Sequence, residues 1–148
     1  VMKDGVVQQI GKPQEVYDDP VNLFVARFLG TPPVNVFNGT VHEGKLYIGT
    51  QAILEVSDIP DQKVTVAIRP EGFLLTEKGR LTCELNRVEV MGRDISVVSS
   101  HKDSQNETIR SIISAENMAQ IHGSTVSFDL KPSKVFLFHA ESGARIRF

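Results

Sequence analysis

Two adjacent prolines, Pro32 and Pro33, divide this 148-residue chain into stretches with different periodicities. Proline lacks an amide hydrogen and its ring collides with the preceding turn, so no helix continues through the pair. Ahead of them the pattern is helical. Asp19 reads as an N-cap and Pro20 as the first helical position, where a missing N–H costs nothing. Val21, Phe24, Val25, Phe28 and Leu29 then recur at helical spacing as one apolar stripe. Gly30 suits the position just past the helix end. Further upstream, residues 1–3 and 6–10 flank Asp4-Gly5, a strong two-residue hairpin signal, and a short turn is expected around residues 13–17. So few residues make too little surface to bury the stripe, and its partner is expected to lie outside this chain.

Beyond the prolines the chain reads as all-β. Residues 63–69 alternate, with Val64, Val66 and Ile68 on one face and Thr65, Ala67 and Arg69 on the other. Residues 80–90 alternate through Leu81, Cys83 and Leu85, then change phase at Val88 and Val90, which predicts a bend or bulge. Further strands are expected over 37–42, 46–48, 53–56, 94–99, 108–114, 125–130 and 134–138, and a short helical turn over 114–117. Turn signals separate them: Glu43-Gly44, Pro60-Asp61, Lys78-Gly79, Met91-Gly92, His122-Gly123 and Lys131-Pro132. Short strands with turns every eight to twelve residues or so imply a small barrel or sandwich.

Composition excludes several classes. A hydrophobic share of 41% and a charged share of 23% are those of an ordinary globular protein. The net charge of -2 argues against a broad polyanion-binding surface. A single cysteine, Cys83, rules out an intrachain disulfide and fits a reducing compartment. No apolar run approaches the length needed to span a bilayer as a helix. The tripeptides at Asn38 and Asn106 match the glycosylation acceptor pattern, which a reducing compartment makes irrelevant.

Chemical candidates are sparse. His42, His101, His122 and His139 are widely separated, with no pair at metal-ligand spacing. No Gly-x-Ser-x-Gly run gives a serine the setting of a nucleophile. Cys83, inside an alternating strand, reads as a small buried hydrophobe. Arg69-Pro70-Glu71 ends the most regular strand, where a structural turn with a local ion pair is the simplest reading, and Arg69 and Glu71 are also candidates for contact with a partner. Phe136, Phe138 and Phe148 read as core rather than as a stacking platform.

Met2-Lys-Asp-Gly-Val-Val-Gln-Gln-Ile-Gly-Lys-Pro-Gln-Glu-Val-Tyr-Asp-Asp-Pro20 and Phe24-Val-Ala-Arg-Phe-Leu-Gly30 closely resemble the end of the ATPase domain in ATP-binding subunits of ABC importers. The resemblance is to the sugar-importer type, which includes the maltose and glycerol-phosphate transporters. Gly30-Thr-Pro-Pro-Val-Asn35, Ala67-Ile-Arg-Pro-Glu-Gly72, Val88-Glu-Val-Met-Gly-Arg-Asp94, Leu130-Lys-Pro-Ser-Lys-Val-Phe-Leu-Phe138 and Ser142-Gly-Ala-Arg145 resemble the same family in the same order. It implies residues 1–30 as the end of an α/β ATPase domain (a hairpin plus two short helices), 31–36 as a linker, and 37–148 as an OB-like regulatory domain of the TOBE type. Phe24, Val25, Phe28 and Leu29 would anchor that domain to the ATPase body, and residues 31–35 would set the angle between them.

The family's P-loop, magnesium-binding strand end, signature loop and switch histidine have no counterpart here. The nearest imitation, Gly5-Val-Val-Gln-Gln-Ile-Gly-Lys-Pro13, has the wrong glycine spacing and a proline in place of the metal-binding hydroxyl. In the family's order these motifs lie upstream of residue 1. The chain alone is therefore expected to be no enzyme and to hold no cofactor, ATP and magnesium belonging to the full-length parent. The resemblance further implies a homodimer through the regulatory domain, permease subunits reached through the ATPase domain, a cytosolic regulatory protein as partner, and a cytoplasmic position on the inner face of the membrane. Two alternatives stay open at this point: a TOBE-type domain binding molybdate or sulfate, and an OB-fold nucleic-acid module. Against the second, Arg80, Arg87 and Arg93 are interleaved with Glu84, Glu89 and Asp94 rather than gathered into a basic groove, so no nucleic acid is expected.

Overall fold

The computed structural model describes residues 1–148. At its start Asp4 and Gly5 both adopt positive φ, 50° and 78°, the geometry of a tight hairpin turn joining β1 (Met2–Lys3) to β2 (Val6–Val7). The strand ends at Val7, and bonds of Val1 with Gln8 (2.8 Å) and Gln9 (3.0 Å) carry the hairpin on to one residue short of the expected Ile10. Two helices follow, α1 (Pro13–Asp18) and α2 (Leu23–Phe28). The remaining chain forms β3 (Asn35–His42), β4 (Lys45–Ile48), β5 (Gln51–Glu55), β6 (Gln62–Ile68), β7 (Phe73–Leu75), β8 (Leu81–Met91), β9 (Asp94–Ser100), β10 (Ile109–Ser114), β11 (Thr125–Leu130), β12 (Val135–His139) and β13 (Arg145–Ile146). Turns of 3-10 helix occupy Pro70–Gly72, Ala115–Gln120 and Pro132–Lys134.

Every strand pair is antiparallel. One sheet has the order β10-β9-β8-β11-β7, and β10 returns beside β7, so the five strands make a nearly closed, OB-like barrel. The other has the order β13-β12-β6-β3-β4-β5. In β8 the register shifts between Leu85 and Arg87, the bulge that the change of phase predicts.

The two sheets share one core of 23 buried residues, with Phe37, Ile48 and Val66 from the larger sheet meeting Leu81, Ile95, Ile109 and Phe128 from the barrel. Phe73 and Phe128 meet edge to face, with centroids 5.1 Å apart. The other face of the larger sheet is also covered. There Val34, Val36, Ala67, Phe136 and Phe138 pack with Ala26 and Leu23 of α2. Hence β6, between two layers, is buried at every position from Val64 to Ile68, although its sequence alternates.

The helix differs from its sequence reading. Asn22, not Asp19, is the N-cap, its side-chain oxygen accepting from the Val25 N–H at 2.9 Å. Asp19 caps the end of α1 instead and takes hydrogen bonds from Arg145 (3.0 Å) and Arg147 (2.6 Å). Leu23 and Ala26 face the sheet, and Val25 is buried. Phe24 and Leu29 are half-buried, while Phe28 is 58% exposed. Of the stripe only Val25 is fully buried, and the face that docks on the larger sheet is the neighbouring one. Gly30 does follow the helix end with positive φ, 111°. Of the closing aromatics, Phe136 and Phe138 are core, but Phe148 lies on the surface.

Candidate functional site: the junction around Arg69

A buried polar cluster joins the helices to the larger sheet. Arg69 stands at the end of β6 and opens the turn Pro70–Gly72. It is 1% exposed, the bulkiest of the fully buried side chains. Its Nη1 donates to the carbonyls of Ala26 (2.9 Å) and Leu29 (3.1 Å), and its Nη2 to that of Tyr17 (2.7 Å). These carbonyls belong to the closing turns of α2 and α1, where partial negative charge collects, so one strand-borne cation satisfies the ends of two helices. The guanidinium also stacks 3.9 Å from the Tyr17 ring centroid and 5.5 Å from that of Phe136.

Tyr17 extends the cluster. Its hydroxyl donates to the Glu71 carboxylate at 2.8 and 2.9 Å. Lys134 lies 3.8 Å from Glu71 and 3.7 Å from Asp18. The ion pair expected at the Arg69-Pro70-Glu71 turn thus forms, but between Glu71 and Lys134. Burial, then the bond to Glu71, pushes the Tyr17 phenol up to about 12. Burial pulls the Arg69 guanidinium below its ordinary value, and the charges of Tyr17, Glu71 and Asp18 oppose that. A second cluster fixes the other end of the segment: Arg145 donates to the Pro20 carbonyl at 2.6 Å and sits 4.8 Å from the Phe136 ring. Asp19 is held below the usual carboxylate range, chiefly by its bond to Arg147.

Of the residues singled out in sequence, Arg69 and Glu71 come together here, Arg69 turned wholly inward and Glu71 at the surface. Phe24, Val25 and Phe28 share the short helix that Arg69 holds and Leu29 caps its end, with Phe24 and Phe28 side by side at 6.0 Å between ring centroids. Tyr17 and Lys134 belong to the junction and gave no signal of it, because their partners are distant in sequence, whereas Asn22 has a local capping partner, Val25, but is overshadowed in the sequence by Asp19-Pro20. Cys83 is buried and its thiol is pushed up to about 11 by that burial. The histidines remain apart: His42 pairs with Asp61, His122 with Glu77, and His101 packs on the edge of Phe37. The junction holds elements in place through buried directional bonds, with no nucleophile set against a base.

Fold and junction together define an OB-like barrel domain carrying a docked helical segment. No protein-family model matches the sequence. Among curated proteins, the sn-glycerol-3-phosphate import ATP-binding protein UgpC of Yersinia pestis is 34% identical over 153 residues, covering 99% of this chain and 42% of that protein. The oligosaccharides import ATP-binding protein MsmX of Bacillus subtilis is 36% identical over 126 residues, covering 85% of this chain and 30% of that protein. The diacetylchitobiose uptake system ATP-binding protein MsiK of Streptomyces coelicolor is 29% identical over 170 residues, with 99% and 45% covered. The chain belongs to the family of sugar-importer-type ATP-binding subunits of ABC transporters, and it spans less than half the length of these relatives. Among solved structures, the cytoplasmic molybdate-binding protein ModG superposes with a TM-score of 0.49 and 20% identity, over 70% of this chain and 94% of that one, too distant a likeness to bear on function.

Proposed function

We propose that this chain is the C-terminal regulatory and dimerisation part of the ATP-binding subunit of an importer for sugars or related solutes. The observation that carries the reading is the alignment of almost the entire chain with import ATP-binding proteins. The structure supports it with an apolar flank that the barrel leaves uncovered. Met2, Val6, Val7 and Ile10 of the hairpin region and Phe28 of α2 are all more than half exposed. The hairpin lies beside α2, with Lys3 5.4 Å from the Phe24 ring and Gln8 bonded to Asn22. Such a flank suits the body of an ATPase domain, with Phe24, Val25, Phe28 and Leu29 in the anchoring helix.

On this reading residues 1–30 close the ATPase domain and residues 37–148 form the regulatory one. ATP and magnesium belong to the full-length subunit, which works at the inner face of the membrane with permease subunits and answers to a cytosolic regulator. Contact between two regulatory domains would hold the ATPase halves near each other, making their reassociation an intramolecular event. Sedimentation of the purified chain over a rising concentration series tests this. A reversible dimer is expected, and a strict monomer at the highest concentration overturns the dimerisation role.

A further inference from the structure

The helical segment is attached to the larger sheet at two ends, by unlike means. At its beginning the tie is backbone pairing: the Leu23 N–H donates to Gly143 at 2.9 Å and the Arg145 N–H to Val21 at 3.1 Å. At its end the buried tie is a side chain, Arg69, on the carbonyls of Ala26, Leu29 and Tyr17, with bonds from Arg27 to Gln105 and from Tyr17 to Glu71 nearer the surface. Helix α2 has six residues, too few to persist alone, and Ala26, its buried contribution to the second cluster, is small.

The stretch after the helix is fixed at its far end. Asn35 is buried, its side chain donating to the carbonyls of Ile68 and Arg110 and accepting from the Arg110 N–H. Asn106 grips both neighbours, donating to Val34 and accepting from the Val36 N–H. Residues 34–36 are therefore part of the sheet's rigid body, and the slack between helix and sheet is confined to the residues before Val34.

We propose that Arg69 is a releasable latch. With the guanidinium on its three carbonyls, α1 and α2 are a rigid extension of the larger sheet. When it lets go, the end of α2 and residues 29–33 come free, while the pairing of Val21 and Leu23 with the β13 region remains as the pivot. Reorientation of the segment is thus gated by a buried side chain, whose release is what lets residues 29–33 bend. The latch stands on this geometry alone, whatever the chain assembles with.

Hydrogen exchange on the full chain tests it. In Arg69→Lys and Arg69→Met, amides of residues 23–30 should exchange roughly tenfold faster or more, because bonds to a buried charge are lost. Amides of β8 to β10 should change by less than about threefold. The unaltered chain supplies a measurement free of folding risk: at low urea, residues 23–30 should open as a unit separate from the barrel. A segment whose exchange is unchanged in both variants overturns the latch, as does a segment that opens only together with the barrel.

Discussion

The two hydrophobic clusters of this molecule are built on different principles. The larger, 23 residues between barrel and sheet, contains no charged side chain and is held by interdigitated apolar groups. The smaller, six residues where α2 meets the sheet, is bordered by Arg69 and Arg145, whose hydrogen bonds set the approach of the helical segment. Packing of the first kind yields only to the loss of volume and fails as a whole. Contact of the second kind can be undone bond by bond, which suits a place where two parts of a machine meet.

The comparison is broken most violently at Phe128, which is fully buried against Phe73. Phe128→Ala should cost ~3–5 kcal/mol, and in urea the barrel and the helical segment should then unfold together at a lower midpoint. A midpoint that hardly moves would mean that the large cluster does not hold the fold. Next in size, Asn22→Ala removes the cap of α2 and should cost about 1 kcal/mol, read as faster exchange at Val25 and Ala26 with the barrel's midpoint kept. If the barrel weakens by as much, the two regions are a single unit after all.

The smallest effect concerns Tyr17. Its folded pKa lies above the ordinary value, so its contribution is fully present below pH 10 and is lost as pH rises toward about 12. Of the two tyrosines, one should therefore ionise late in an ultraviolet titration, and Tyr17→Phe should abolish that late phase. Two phenols titrating together in the parent chain would remove Tyr17 from the junction.

Much of the barrel is legible in the sequence because period-two alternation and turn glycines are local signals. Even the irregularity of β8 appears as a phase change between Leu85 and Val88. Strands of two or three residues, β7 and β13, carry too little pattern to announce themselves. The junction is opaque for another reason. Asp19 looks like a helix cap until Arg145 and Arg147, more than a hundred residues later, take its carboxylate. Arg69 binds carbonyls, which every residue possesses, so no spacing of side chains foretells it. The apolar stripe of α2 is real as a pattern, yet the larger sheet takes the neighbouring face, through Leu23 and Ala26.

The double burial of β6 has a consequence before folding begins. Residues 64–68, Val-Thr-Val-Ala-Ile, are an uncharged stretch rich in β-branched residues, the composition that lets unfolded copies stack on one another. Lys63 precedes them and Arg69 follows them, so the nascent stretch carries a positive charge at each border, and like charges discourage stacking. The cation that closes two helices in the finished molecule thus also guards, in the unfinished one, the strand from which it springs.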